Sequence, residues 1–308
     1  MGTIFTLSIL QSALELGCIY ALVALALFIS FSILNIADLS TDGCFTLGCA
    51  VCAMVTISGH PFLALFAAMA AGVCSGFVTA FLQTKMGIES ILAGIIVNTG
   101  LYTINIAVMG FASNVNLFKC DTIFSMAKEA IGGSFYKILV ALLIVVIIGC
   151  LLSLFLSTKL GLSIRATGDN TDMVRASSIN PAFTITVGLC VSNSLTALSG
   201  GVLAQYQKSC DINLGTGMVT IALASLIIGE SIIGGGSMAK RVVGVVLGSC
   251  LYRFIVAVAL RLNVPAECLK LVSALIVAIA IASPYMKGKI AFMKQRSLAM
   301  KNYAKEGK

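Results

Sequence analysis

Four charged side chains, Arg165, Asp169, Asp172 and Arg175, fall within the stretch from Leu160 to Pro181, between two long apolar runs. Each would cost about 2.5–3.5 kcal/mol at the centre of a bilayer, so the stretch belongs outside hydrocarbon. Asp169, Asn170 and Thr171 offer helix N-caps, and Asp172 suits a first helical turn three residues before Arg175. This pattern predicts a short helix over about 171–178, lying under the membrane, with Asn180 and Pro181 opening the next apolar run. Met173, Val174 and Ala176 would stand on it as apolar knobs among charges, a ridge suited to a groove on a partner protein. A plain solvated loop is the alternative reading.

Bond-making chemistry is harder to find. His60 is the sole histidine and sits in a Gly-His-Pro turn, which removes most metal, proton-relay and triad arrangements. Cys49-x-x-Cys52 lies in an apolar run without a βαβ context, so packing rather than redox chemistry is expected of it. Gly229-x-x-x-x-Gly234 resembles the start of a phosphate loop, yet Gly235 stands where the lysine is required and no strand precedes it. No catalytic residue, metal site or bound cofactor is therefore expected in this chain. Most of the eleven cysteines fall inside apolar runs, while Cys120 and Cys210 both fall in outward segments, leaving a disulfide between them open.

A second group of polar residues interrupts or lies within the apolar runs. The break Leu34–Gly43 holds Asn35, Asp38, Ser40, Thr41 and Asp42. It is either a short solvated turn in which Asp38 or Ser40 caps the next helix, or the lining of a wet cavity covered by protein. Asn98, Asn105, Asn193, Ser194 and Gln205 stand within runs, where interhelical hydrogen bonding competes with a place on a solute pathway. Asn35, Asp38, Thr41, Asn98, Asn193 and Ser194 are the candidate pathway residues. Glu15 is expected to face the bundle interior or snorkel rather than meet lipid.

The elements that must carry these residues follow from composition. Of 308 residues 59% are hydrophobic and 10% charged, and the mean hydropathy is +1.05, far from the balance of a water-soluble domain. Runs such as 138–156 lack the alternation of a membrane barrel, so helices must satisfy the backbone. An all-α polytopic bundle of about eight to ten spans is predicted, with nine apolar runs at roughly 4–33, 44–59, 61–82, 88–110, 135–157, 181–205, 214–233, 241–260 and 266–285. Thirteen of the twenty basic residues then lie in segments on one side, including seven in the last 22 positions, which marks that side as cytoplasmic and the N-terminus as external. A net charge of +8 in this setting points to anionic lipid rather than nucleic acid. The chain divides into a transmembrane part at 1–285, with the inner segment 160–181, and a basic tail at 286–308.

The order Gly161-Leu-Ser-Ile-Arg165-Ala-Thr-Gly-Asp-Asn170-Thr-Asp-Met-Val-Arg175-Ala-Ser-Ser-Ile-Asn180 resembles the cytoplasmic coupling segment of ABC importer permeases of the branched-chain amino acid class, a group related to sugar and nucleoside permeases. Two further blocks are similar to that family. Tyr20-Ala-Leu-Val-Ala-Leu-Ala followed by Leu34-Asn-Ile-Ala-Asp38 resembles its first block, with Asp38 where a histidine is typical. Gly200-Gly201-Val-Leu and Met218 to Gly236 resemble its last, glycine-rich block.

The resemblance implies a permease homodimer in a bacterial plasma membrane, a cytoplasmic ABC ATPase dimer that binds ATP and Mg, and an extracytoplasmic substrate-binding protein. On it, Arg165, Asp169, Asn170, Asp172, Met173, Val174, Arg175 and Asn180 become the ATPase-coupling residues. It implies an amino acid, branched-chain or aromatic, as the solute, with nucleosides or sugars next. Outside the family, an ion-coupled secondary transporter would be expected to show matched repeats or intramembrane ion pairs, and a membrane enzyme a reactive set; neither is evident.

Overall fold

The computed structural model describes residues 7–133, 135–234 and 236–261, with isolated helical positions beyond; Gly235, most of the apolar run at 266–285 and most of the basic tail lie outside the described residues. The chain starts with α1 (Leu7–Leu27), prolonged by a π-helical turn at Phe28–Ile33, then α2 (Thr41–Ile57), α3 (Pro61–Thr84) and α4 (Ser90–Val108). A short strand β1 (Asn114–Asn116) and the surface helix α5 (Ile123–Ile131) precede α6 (Tyr136–Ser157). The inner helices α7 (Lys159–Asp169) and α8 (Thr171–Ala176) lead into α9 (Pro181–Gln207), β2 (Ser209–Asp211), α10 (Met218–Ile233) and α11 (Met238–Arg261). The protein is an all-α polytopic membrane bundle, and among the described residues six helices are long and apolar enough to span a bilayer.

Two runs read as spans differ from that expectation. Helices α2 and α10 have 17 and 16 residues, short of the roughly 20 that cross hydrocarbon, because both begin only after a polar break inside the bundle. The long first run is a single helix with its last turn widened, so no extra span is hidden in it. Its start lies near the β1–β2 ladder, since the Tyr206 hydroxyl donates to Glu15 Oε2 at 2.7 Å, and its end meets α7. Glu15 is thus buried and bonded, also taking Gln11 Nε2 at 3.0 Å, and not exposed to lipid.

Position in the bundle sorts the helices. In α1 and α9, 83% of the apolar stretch is buried, against a third or less in α3, α4, α6 and α11, so the first two are the axis and the others form the outside of the bundle. The outer helices accordingly expose large apolar side chains, among them Phe66, Phe77, Leu143 and Leu154.

Around the axis, α9 packs on α2 and α3 at backbone distance. A Cβ on Gly48 would strike the Ala197 carbonyl, one on Gly200 the Phe45 carbonyl, and one on Gly72 the Asn193 carbonyl. Cys49 and Cys52 donate to the Gly200 and Gly201 carbonyls at 3.0 and 3.3 Å in the same contact. The Cys-x-x-Cys pair is therefore buried packing that satisfies backbone oxygens. Cys120 and Cys210 are both free thiols, and Cys210 packs beside Met109.

Replacing Gly48 by alanine is expected to destabilise the bundle by about 1–3 kcal/mol through overpacking. Gly100 faces open space, so Gly100→Ala should stay within about 0.5 kcal/mol of the parent. Thermal unfolding of the two purified variants in detergent compares them directly.

Candidate functional site

The inner segment folds as two helices joined at one residue. Asn170 ends α7 and caps α8, its Oδ1 accepting the backbone N–H groups of Asp172 and Met173, each at 3.0 Å. Asn180 repeats the device for α9, accepting from Ala182 N at 3.0 Å ahead of Pro181. Between them Ser178 holds a left-handed backbone, φ 60°, which turns the chain back toward the bundle.

This pair is anchored to the axis. Gly168 lies so close to the Ile33 carbonyl that no side chain fits, Ile164 is fully buried, and the Thr167 and Thr184 hydroxyls share a hydrogen bond of 2.8 Å. The α7–α8 pair is thus tied to the end of the first helix and to the start of α9.

The surface it presents is charged with one apolar tip. Asp169, Asp172 and Arg175 are exposed and Met173 is 54% exposed. Val174 differs from the expected knob: it is 1% exposed, because the α8 turn points it back onto the bundle, so Met173 and Ala176 are the apolar side chains that α8 leaves exposed. Asp172 and Arg175 do not pair; among the described residues the ion pair is Arg241–Glu230, at 2.6 Å. That pair also binds Ser32, which donates to Glu230 at 2.7 Å and accepts from Arg241 at 2.8 Å. It ties α1, α10 and α11 beside α7, and half-buried Arg165 lines the same hollow.

Two polar breaks lie inside the bundle. In the first, Asp38 Oδ1 accepts from the Ser40 backbone and hydroxyl at 2.8 and 2.6 Å, while Oδ2 accepts from Asn193 Nδ2 at 2.8 Å. Thr41 Oγ1 returns to the Asp38 carbonyl at 3.0 Å, and Thr79 donates to Ser40 at 3.3 Å. Asp38, Ser40, Thr41, Thr79 and Asn193 are all buried, so this break is a protein-covered knot rather than a solvated turn. The second break, before α10, is held from α2: Asp42 accepts from Gly217 N and Val219 N, both at 2.9 Å, and Thr46 Oγ1 from Gly215 N at 3.1 Å.

The six pathway candidates separate. Asp38, Thr41 and Asn193 meet in the first knot, and Ser194 is buried near it on α9. Asn35 is exposed, with φ 58°, beside the α7–α8 turn, where it lines a cleft with Asp169 and Asn170. Asn98 lines a separate polar cleft of about 460 Å³ with Asp42, Thr46, Tyr102, Asn105 and Asn213. Gln205 serves as a tie, donating to the Pro61 carbonyl at 2.8 Å and accepting from Ile123 N at 3.0 Å. The bridging role of Asp42 was not foreseen from sequence; an acidic residue at the first turn of a helix predicts capping of its own helix, not of one that starts 175 residues later. Among the described residues no cluster of His, Cys, Asp and Glu could hold a metal ion.

Comparisons with known proteins place this architecture. A family profile described as the permease component of the branched-chain amino acid transport system matches residues 9–281. A tyrosine transport system permease protein of Clostridioides difficile (strain R20291) is 34% identical over 273 residues, covering 88% of this chain and 90% of the relative. An uncharacterized protein of Rickettsia prowazekii (strain Madrid E) is 31% identical over 281 residues, covering 90% of this chain and 98% of the relative. No solved structure matches.

Asp38→Ala would strand the Ser40 N–H away from water and leave Asn193 Nδ2 with the Leu189 carbonyl alone, an expected loss of about 1–3 kcal/mol. Asp38→Asn, which keeps one acceptor, should recover part of it. Thermal unfolding in detergent reads both, and an alanine variant as stable as the parent would contradict the knot.

Proposed function

This chain belongs to the family of branched-chain amino acid transport system permease components, and we propose that it is the membrane-spanning subunit of an ATP-driven importer for an amino acid. The α7–α8 end faces the cytoplasm and meets an ABC ATPase dimer, which binds ATP and Mg. A substrate-binding protein delivers solute at the β1–β2 end, in a bacterial plasma membrane. The tyrosine transport relative favours an aromatic amino acid over a sugar or nucleoside.

The observation that carries this reading is the anchored inner pair. A transporter moved by a separate ATPase needs a short rigid element that is exposed at its tip and fixed at its root. The α7–α8 pair has both properties, with Asp172, Met173 and Arg175 outward and Ile164, Thr167, Gly168 and Val174 packed inward.

A homodimer is supported by the face of α4. Asn98, Tyr102 and Thr103 stand half-buried or exposed on a helix otherwise suited to lipid, where amides and hydroxyls are costly. A second copy placed over this face would enclose a wet pathway between the two subunits.

Met173→Asp and Arg175→Glu change only the exposed tip. Each is expected to leave membrane insertion and unfolding temperature unchanged, while ATP-dependent uptake in proteoliposomes containing the permease, its ATPase and its binding protein falls by about tenfold or more, as for an interface anchor. Val174→Asp is not an equivalent test, since it would bury a carboxylate. Uptake at the parental rate in both tip variants would contradict the coupling role.

A further inference from the structure

The polar cleft between α2, α4 and the connection 212–217 holds an unused hydrogen-bond acceptor deep in the bundle. Asn105 is 1% exposed, and its Nδ2 donates to the Gly43 carbonyl at 3.1 Å, which fixes the orientation of the amide. Its Oδ1 is left without a partner in the protein while lining the cleft. A buried carbonyl oxygen left empty is unfavourable by about 1–3 kcal/mol, which a donor entering the cleft would recover.

The other groups around it have the same polarity. Among the described residues Asn98 makes no hydrogen bond, and its Oδ1 lies against Gly43, so close that a Cβ there would come within 2.6 Å of it. The carboxylate of Asp42 forms the floor, held by the first turn of α10. Among the described residues no lysine or arginine lines the cleft, whereas the hydroxyls of Tyr102 and Thr103 stand at its mouth. The Asp42 carboxylate and the amide oxygens of Asn98 and Asn105, with the exposed Asn213 amide at the edge and no lysine or arginine among the described lining residues, favour a donor-rich cation and disfavour an anion.

We propose that this cleft is a solute station that takes a primary ammonium group, with Asn105 Oδ1 and Asn98 Oδ1 as its acceptors and Asp42 supplying the field. The inference rests on the importer reading and adds to it the part of the solute that the permease itself recognises. A zwitterionic amino acid would enter with its ammonium toward Asn105 and its carboxylate toward the open mouth. Recognition is then of the group shared by all amino acids, and selection among side chains is left to the mouth and to the delivery protein.

Equilibrium binding to the full-length permease purified in detergent tests this, with L-tyrosine, tyramine and 3-(4-hydroxyphenyl)propionate as probes. Tyrosine and tyramine are expected to bind and to compete, and the propionate, which lacks the ammonium, to do neither. Asn98→Leu, which removes no hydrogen bond of the fold, is expected to weaken tyramine binding by about tenfold. Asn105→Leu should do the same, and Asn98 remains the decisive position if that variant does not fold. Equal binding of the propionate, no tyramine binding by the parent, or unchanged binding by Asn98→Leu would each overturn the proposal. The importer reading fails separately, by the absence of ATP-dependent uptake in the reconstituted parental complex.

Discussion

Hydrocarbon offers no hydrogen-bond partner, so backbone groups released where a helix stops inside a bilayer have to be paired within the protein. Two such stops shape this bundle, one between α1 and α2 and one before α10. Asp38 closes the first through Ser40 and Asn193, and Asp42 closes the second by capping α10 from α2. Each carboxyl group links segments far apart in the chain, and together they join α2 to both α9 and α10. The short helices exist because these side chains replace the water that would otherwise solvate the breaks.

Mechanical consequences follow from the same centre. Since α9 meets α2 and α3 backbone to backbone, it cannot slide on them by a fraction of a turn without carbonyl collisions at Gly48, Gly72 and Gly200. The inner pair is fixed in turn to α1 through Gly168 and to α9 through Thr167. The α7–α8 pair is thus the exposed end of a closely packed unit rather than a free loop. The Ser32–Glu230–Arg241 tie extends that unit to α10 and α11.

Sequence pattern read some of this well. The runs 61–82, 88–110, 135–157 and 181–205 reappear as α3, α4, α6 and α9 because an apolar run reports exclusion from water. It does not report whether the excluding medium is lipid or protein, so α2 and α10 read as full spans although each is a short helix, α2 mostly buried and α10 partly so. The start of α8 was legible from Asn170, since a cap acts on neighbouring residues. Helix α7 was not, because its Gly161 and Gly168 weaken helix propensity and are kept for close contacts with α6 and Ile33 that only the folded chain reveals. Val174 was misplaced for a related reason: in a helix of six residues, periodicity is too short to tell inward from outward. The acceptor of Asn105 could be listed among polar residues in spans, but that it stays unpaired depends on Gly43, 62 residues away.

Hydrogen–deuterium exchange on the permease alone and in complex with its ATPase probes the coupling most directly. Protection on complex formation is expected across residues 169–178, with α5 and the β1–β2 end unchanged. Full exchange of 169–178 in a complex that hydrolyses ATP and takes up solute would contradict a drive delivered through α8.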